Sequence, residues 1–234
     1  NSALNEMQDL GFSETSLPRL INDGTPTFAG IIAMGMALVL VLAGITVANS
    51  AKSVAVGDVV MELSWTDTSG QSHNGKIWIE LYEDDTPMHA ESFRSNTDAG
   101  RYDGTIFHRV IPGFMIQGGG FEPMINDEMT QKTVKGPILN EADNGVSNKR
   151  GTISMARTGV PHSATAQFFI NYADNSFLNH TGKTQQGWGY AVFGKVIEGM
   201  DVLDSLSSVE KITVRQHENV PVNDIIIEST EIIL

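Results

Sequence analysis

From residue 57 onward, apolar and polar positions alternate in short runs. Asp58–Trp65 and Lys76–Tyr82 place Val, Ile, Leu, Met and Trp at every second position or in brief apolar runs, the period of a pleated strand with one buried face. A polar, turn-rich stretch, Thr66–Gly75, joins them. Thr86 and Pro87 then fit the N-cap and first turn of a helix that runs to about Ala99, where Gly100 stops it. Short apolar runs recur at Thr105–Val110, Phe114–Gln117, Gly151–Ala156, Gln167–Asn171 and Ala191–Ile197. Gly199–Leu206 reads as a second short helix and Asp224–Ile233 as a closing strand. Short strands punctuated by Gly and Pro, with two helices, predict a mainly β fold: a closed antiparallel barrel with capped ends.

The pattern before residue 57 is different. Residues 1–27 are polar and hold Pro18, Gly24 and Pro26; they read as a flexible tail with at most a short helix at Asn5–Leu10. Phe28–Ala48 then carries no charged side chain. At the helical rise this segment spans roughly 30 Å, the thickness of a bilayer core, so it is expected to be a single transmembrane anchor helix. A buried core helix seldom runs so long without a polar side. A cleaved export signal is the alternative to an anchor, but an acidic leader is unlike a basic n-region. Residues 49–56 would be a linker, leaving 57–234 as one folded domain, expected on the extracytoplasmic side of the membrane. Only Arg19 and Lys52 flank the segment, so flanking charge scarcely constrains orientation.

Composition narrows the chemistry. The formal net charge is −13, and residues 1–49 supply little of it: Arg19 against Glu6, Asp9, Glu14 and Asp23. A surface this acidic repels phosphate backbones, so no nucleic acid is expected as a partner. The chain has no cysteine, which excludes disulfides, thiolate metal sites and thiol nucleophiles. His108 and His162 lack spaced carboxylate or Cys partners, so no metal site is expected. Ser163 beside His162 is not set in a G-x-S-x-G elbow. Gln117–Gly120 is not followed by the Lys-Ser/Thr of a phosphate loop and reads as part of a strand or turn.

Three long stretches remain: Tyr102–Gly120, Gly151–Asn171 and Gly187–Asp204. In wording, order and spacing they resemble the signature of the cyclophilin-type peptidyl-prolyl cis/trans isomerases. Asn140–Gly145 and Pro161–Phe169 are similar to the bacterial-type branch. The resemblance covers about Gly57 to Leu234. It implies an eight-stranded barrel with two helices, a proline-binding groove on the outer face, no cofactor, proline-containing polypeptides as clients and a monomer.

The chemistry of such a reaction limits what is needed. Rotation about an X–Pro bond breaks amide resonance, a barrier of about 20 kcal/mol, but makes no covalent bond. The requirement is tighter binding of a twisted amide than of a planar one. A guanidinium near the prolyl nitrogen, which regains its lone pair on twisting, meets that requirement, and Arg109 is the candidate. By resemblance, Phe114, Met115, Phe169 and Leu178 form the apolar socket and Gln117 orients the arginine. Ala156 and Arg157 offer an edge that pairs with extended substrate, Gln167 binds its backbone, and His108 lies among the binding residues. Ala164, Thr165 and Ala166 fall where small residues gate an adjoining pocket. Phe177 stands where a tryptophan is common and Tyr190 where a histidine is common, so isomerase activity is expected to persist with weakened cyclosporin affinity. A binding module that grips proline segments without turnover is the rival reading, disfavoured by Arg109 standing together with Gln117 and Gln167.

Overall fold

The computed structural model describes residues 57–126 and 128–233, with one short antiparallel pair before them, Ile21–Asn22 against Thr25–Pro26. The chain divides into two units, residues 1–54 and 55–234. The apolar segment 28–48, the helix expected at 5–10 and the linker 49–56 lie outside the described residues. Among the described residues, no helix is long and apolar enough to cross a membrane.

In the second unit the elements follow in chain order: β1 (Val59–Thr66), β2 (Ser72–Leu81), α1 (Pro87–Asp98), β3 (Thr105–Ile111), β4 (Met115–Phe121), β5 (Thr152–Met155), β6 (Phe168–Asn171), β7 (Val192–Glu198), α2 (Met200–Leu206), β8 (Lys211–Val214), β9 (His217–Pro221) and β10 (Ile226–Ile232). Eight of the strands close an antiparallel barrel in the order β10-β1-β2-β7-β5-β6-β4-β3, and Ile226 and Ile227 of β10 complete the ring by pairing with Ile106 and Thr105 of β3. Closure leaves no unpaired sheet edge in the ring. Strand β1 alternates buried and half-buried residues along its whole length, so Val59, Met61, Leu63 and Trp65 point inward as the period of two requires. Phe93 and Ala90 of α1, and Leu203 and Leu206 of α2, join the same apolar core. Within it, the Phe168 ring meets Phe93, Tyr102 and Phe107 edge-on at centroid distances of 5.3–5.8 Å.

Local details depart from the sequence-based expectation. The stretch Thr66–Gly75 is not all loop: Ser72–Gly75 belong to β2, paired residue for residue with Leu63–Thr66. The turn is only Asp67–Gln71, closed by the Asp67 carboxylate, which accepts from the backbone N–H groups of Ser69 (2.8 Å) and Gln71 (3.0 Å). Thr86 occupies the N-cap position of α1 but does not cap it, because its hydroxyl donates back to the Tyr82 carbonyl at 3.0 Å. Glu141, distant in sequence, caps instead, accepting from the N–H groups of Met88 (3.2 Å) and His89 (3.0 Å). The glycines of Gln117–Gly120 lie inside β4, which runs on to Phe121. At Gly119, with φ +75°, a Cβ would stand 2.7 Å from the Phe168 ring; at Gly120 it would overlap the Gln167 amide. Packing against the core and the site, not phosphate binding, explains the run. The hairpin β8–β9 lies where the sequence pattern predicts no strands.

Candidate active site

The pairing of β3 with β4 has two irregularities, and the second of them shapes the outer face where the candidate residues lie. Phe107 pairs with Gly118 and Arg109 with the next residue, Gln117, so His108 is an extra residue in its strand. This is a β-bulge. Phe107 and Val110 both enter the core, although a regular strand would put them on opposite faces, and His108 and Arg109 between them both stay out of the core cluster.

Arg109 lines a groove of about 130 Å³ together with Phe114, Met115, Gln117 and Phe169. Leu178, Tyr190, Ala156 and Arg157 complete its walls. Nine of the residues singled out in the sequence thus converge on one concavity. The Arg109 guanidinium has no hydrogen-bond or ion-pair partner among the described residues. Arg157, on the same groove, is committed: Nε donates to the Gly189 carbonyl at 2.9 Å, NH1 to Thr158 O at 2.9 Å, and the guanidinium sits 4.6 Å from the Tyr190 ring centroid. Of the two cations, only Arg109 keeps its donors for something else.

The apolar side is held by buried amides. Phe114 follows a tight turn, its N–H donating to Ile111 O at 3.1 Å. Its carbonyl accepts from Tyr172 N–H and from Asn175 Nδ2, both at 2.9 Å. Asn175 Nδ2 also bonds Asn171 Oδ1 at 2.7 Å, and Asn148 Oδ1 accepts from Ser154 Oγ at 2.7 Å. The turn Ser176–Leu178 hangs from this network, because Asn175 N–H donates to Asn148 O at 2.8 Å and Tyr190 N–H to Leu178 O at 2.9 Å. Sequence reasoning passed over Asn148, Asn171 and Asn175. Asn148 and Asn175 read as loop residues and Asn171 as the end of a strand, and nothing local marks any of them as buried.

Other singled-out residues sit less simply. Gln117 Nε2 donates to Gln167 Oε1 at 3.0 Å, and among the described residues no hydrogen bond joins the Gln117 amide to Arg109, although strand register sets the two side by side. Ala156 N–H pairs with Gln167 O at 2.9 Å, while the Ala156 carbonyl and the Arg157 N–H have no partner among the described residues. Phe177 is 72% exposed and stacks on Phe114 at 5.6 Å. Ala164 and Ala166 are buried in the core cluster, where Tyr102 OH donates to Ala166 O at 3.0 Å. His162 is structural: its Nδ1 accepts from Asn140 N–H at 3.0 Å and its ring meets Trp188. Ser163 Oγ is engaged within its own turn by Thr158 and Val160. His108 is only 4% exposed and faces a second cavity beside the groove.

The model of the family "Cyclophilin type peptidyl-prolyl cis-trans isomerase/CLD" matches residues 65–232. The chain belongs to this family. The cyclophilin relatives include the peptidyl-prolyl cis-trans isomerase cyp18 of Streptomyces antibioticus, 55% identical over 159 residues, which is 68% of this chain and 93% of that protein. Peptidyl-prolyl cis-trans isomerase B of Escherichia coli is 52% identical over 161 residues, 69% of this chain and 96% of its own. Among solved structures, a cyclophilin-type isomerase of Cryptosporidium parvum, crystallised in the presence of the dipeptide Ala-Pro, superposes with a TM-score of 0.54 at 26% identity. It covers 73% of this chain and 98% of that one. The protein is a peptidyl-prolyl cis-trans isomerase with the cyclophilin barrel.

Proposed function

We propose that Arg109 supplies the electrostatic part of isomerisation and that the groove beside it seats the proline ring. The observation behind this reading is a guanidinium without an internal partner at the rim of an apolar socket formed by Phe114, Met115, Phe169 and Leu178. As the X–Pro bond twists, the nitrogen loses conjugation and becomes a better hydrogen-bond acceptor. A donor already in place then binds the twisted amide more tightly than the planar one, which lowers the barrier. A guanidinium stays charged at any working pH and presents several N–H groups in a fixed fork. The open Ala156 carbonyl and Arg157 N–H are placed to pair with an extended client, holding one flank of the bond while the other turns. No cofactor enters this scheme.

The clients on this reading are proline-containing polypeptides, and the protein acts as a monomer in their folding. Residues 28–48 would tether it by a single pass with the isomerase domain extracytoplasmic; the support is the uncharged stretch itself. Digestion of the domain by protease added to the cytoplasmic side of vesicles would contradict that orientation.

Two-dimensional exchange NMR on a proline peptide tests the catalytic claim. Wild type is expected to accelerate cis/trans exchange, and Arg109→Ala to lose about 10²-fold or more of kcat/KM while still binding peptide. Equal exchange in both proteins would overturn the role given to Arg109.

A further inference from the structure

Beside the proline groove lies a larger cavity, about 390 Å³, that borders it along Arg109 and Gln117. Its floor is the Phe121 ring, clasped between two imidazoles: His108 at 4.7 Å and His217 at 5.4 Å between centroids, both edge-on. Gln167 forms one wall, and the tip of the β8–β9 hairpin, Gln216 to Glu218, forms the opposite one. His108 is almost wholly buried, and its Nδ1 has no hydrogen-bond partner. A buried ring nitrogen without a partner is costly, and the His108 ring that carries it borders the cavity beside the groove.

We propose that this cavity is a second subsite of the same peptide groove, taking an uncharged amide side chain, glutamine or asparagine, from a residue within two positions of the isomerised proline. The proposal rests on the isomerase reading above. Chemistry selects the amide. Burial, foremost, and then the electrostatic influence of the neighbouring His217 and Arg109 push the His108 imidazole down to about 3, so the ring is neutral at working pH. A neutral imidazole nitrogen donates in one tautomer and accepts in the other, and an amide answers either. Gln167 Oε1 is occupied by Gln117, which leaves the Gln167 Nε2 donors for an incoming carbonyl. An acidic side chain would meet Glu218, a basic one would meet Arg109, and an aliphatic one would leave His108 and the glutamine amides unpaired. The Phe121 ring gives the methylene stem an apolar bed.

The test is a peptide scan with the full-length chain. In a series of proline peptides, Gln, Asn, Ala, Leu, Lys and Glu are placed in turn at the two positions before and the two after proline, and kcat/KM is measured by exchange. At one of these positions Gln or Asn is expected to exceed Ala by about fivefold, the worth of roughly one hydrogen bond, and to exceed Lys and Glu by more. The ratio of Gln to Ala is expected to approach one in His108→Phe, which keeps a ring of similar shape without nitrogens. It is expected to fall also in Gln216→Ala, an exposed hairpin change that carries the test if His108→Phe does not fold. Activity on every peptide with no preference for Gln or Asn overturns the subsite alone. So does a preference left unchanged in the folded variants, or one for Leu, Lys or Glu. Wild type inactive on every peptide overturns the isomerase reading and the subsite with it.

Discussion

His108 and Arg109 are neighbours on one strand with opposite electrostatic fates. Arg109 lies half-buried at the rim, charged and unpartnered, whereas His108 is buried and held neutral. The neutral ring has a consequence for stability. Its folded-state value of about 3 lies below the ordinary histidine value of 6.5. Above the ordinary value both folded and unfolded rings are neutral and nothing is gained or lost. As pH falls below it, the unfolded chain takes up a proton that the native ring refuses, so stability declines by at most about 1.4 kcal/mol per pH unit from this one site. Urea unfolding of wild type and His108→Gln at pH 7, 5.5 and 4.5 is expected to show a shallower acid decline in the variant; parallel declines would contradict the assignment. Arg109 and the greasy positions around it were legible in the sequence, because the run Phe107–Gln117 has a distinctive wording. The pairing of Gln117 with Gln167 rather than with the arginine was not, since side-chain amides choose among partners by distances that only the folded barrel sets.

At the level of elements, the site depends on a bulge, a turn and a hairpin, and these were the features least visible beforehand. Strand runs such as Val59–Thr66 declare themselves by alternation. The bulge at His108 breaks that alternation and can be seen only when Phe107 and Val110 are both found in the core. The hairpin β8–β9 is hidden because its strands, Lys211–Val214 and His217–Pro221, are short and bury only Val214, Val220 and Pro221, too few to set a period, and its tip turns through Arg215 at φ 53°. The Ser176–Leu178 turn draws its rigidity from Asn175, whose amide is shared between Phe114 O and Asn171 Oδ1. Asn175→Ala is expected to lower stability by about 1–3 kcal/mol, the cost of leaving buried polar partners unpaired, and to reduce kcat/KM in step as Phe114 and Leu178 loosen. Chemical denaturation together with the exchange assay checks this. A variant with unchanged urea midpoint and unchanged activity would show that the network does not hold the groove.

For the whole molecule, every strand of the barrel lies in the second unit, and β10 joins β1 to β3. A fragment of residues 57–234 is therefore expected to fold, stay soluble and keep wild-type kcat/KM, while the full chain partitions into membranes. Recovery of the full chain in the soluble fraction would contradict the tether, and an inactive fragment would contradict the autonomy of the barrel. On the mechanism proposed above, a closed barrel suits a reaction that needs no moving parts beyond the client: it would fix a cation and a socket before the substrate arrives, and that preorganisation would be the source of the rate. The most direct measurement is the cis/trans interconversion rate of enzyme-bound peptide at saturation, wild type beside Arg109→Lys, which keeps the charge and removes the rigid fork. A fall of about tenfold or more in the bound rate, with peptide Kd changed by less than about threefold, is the predicted result; equal bound rates would contradict it.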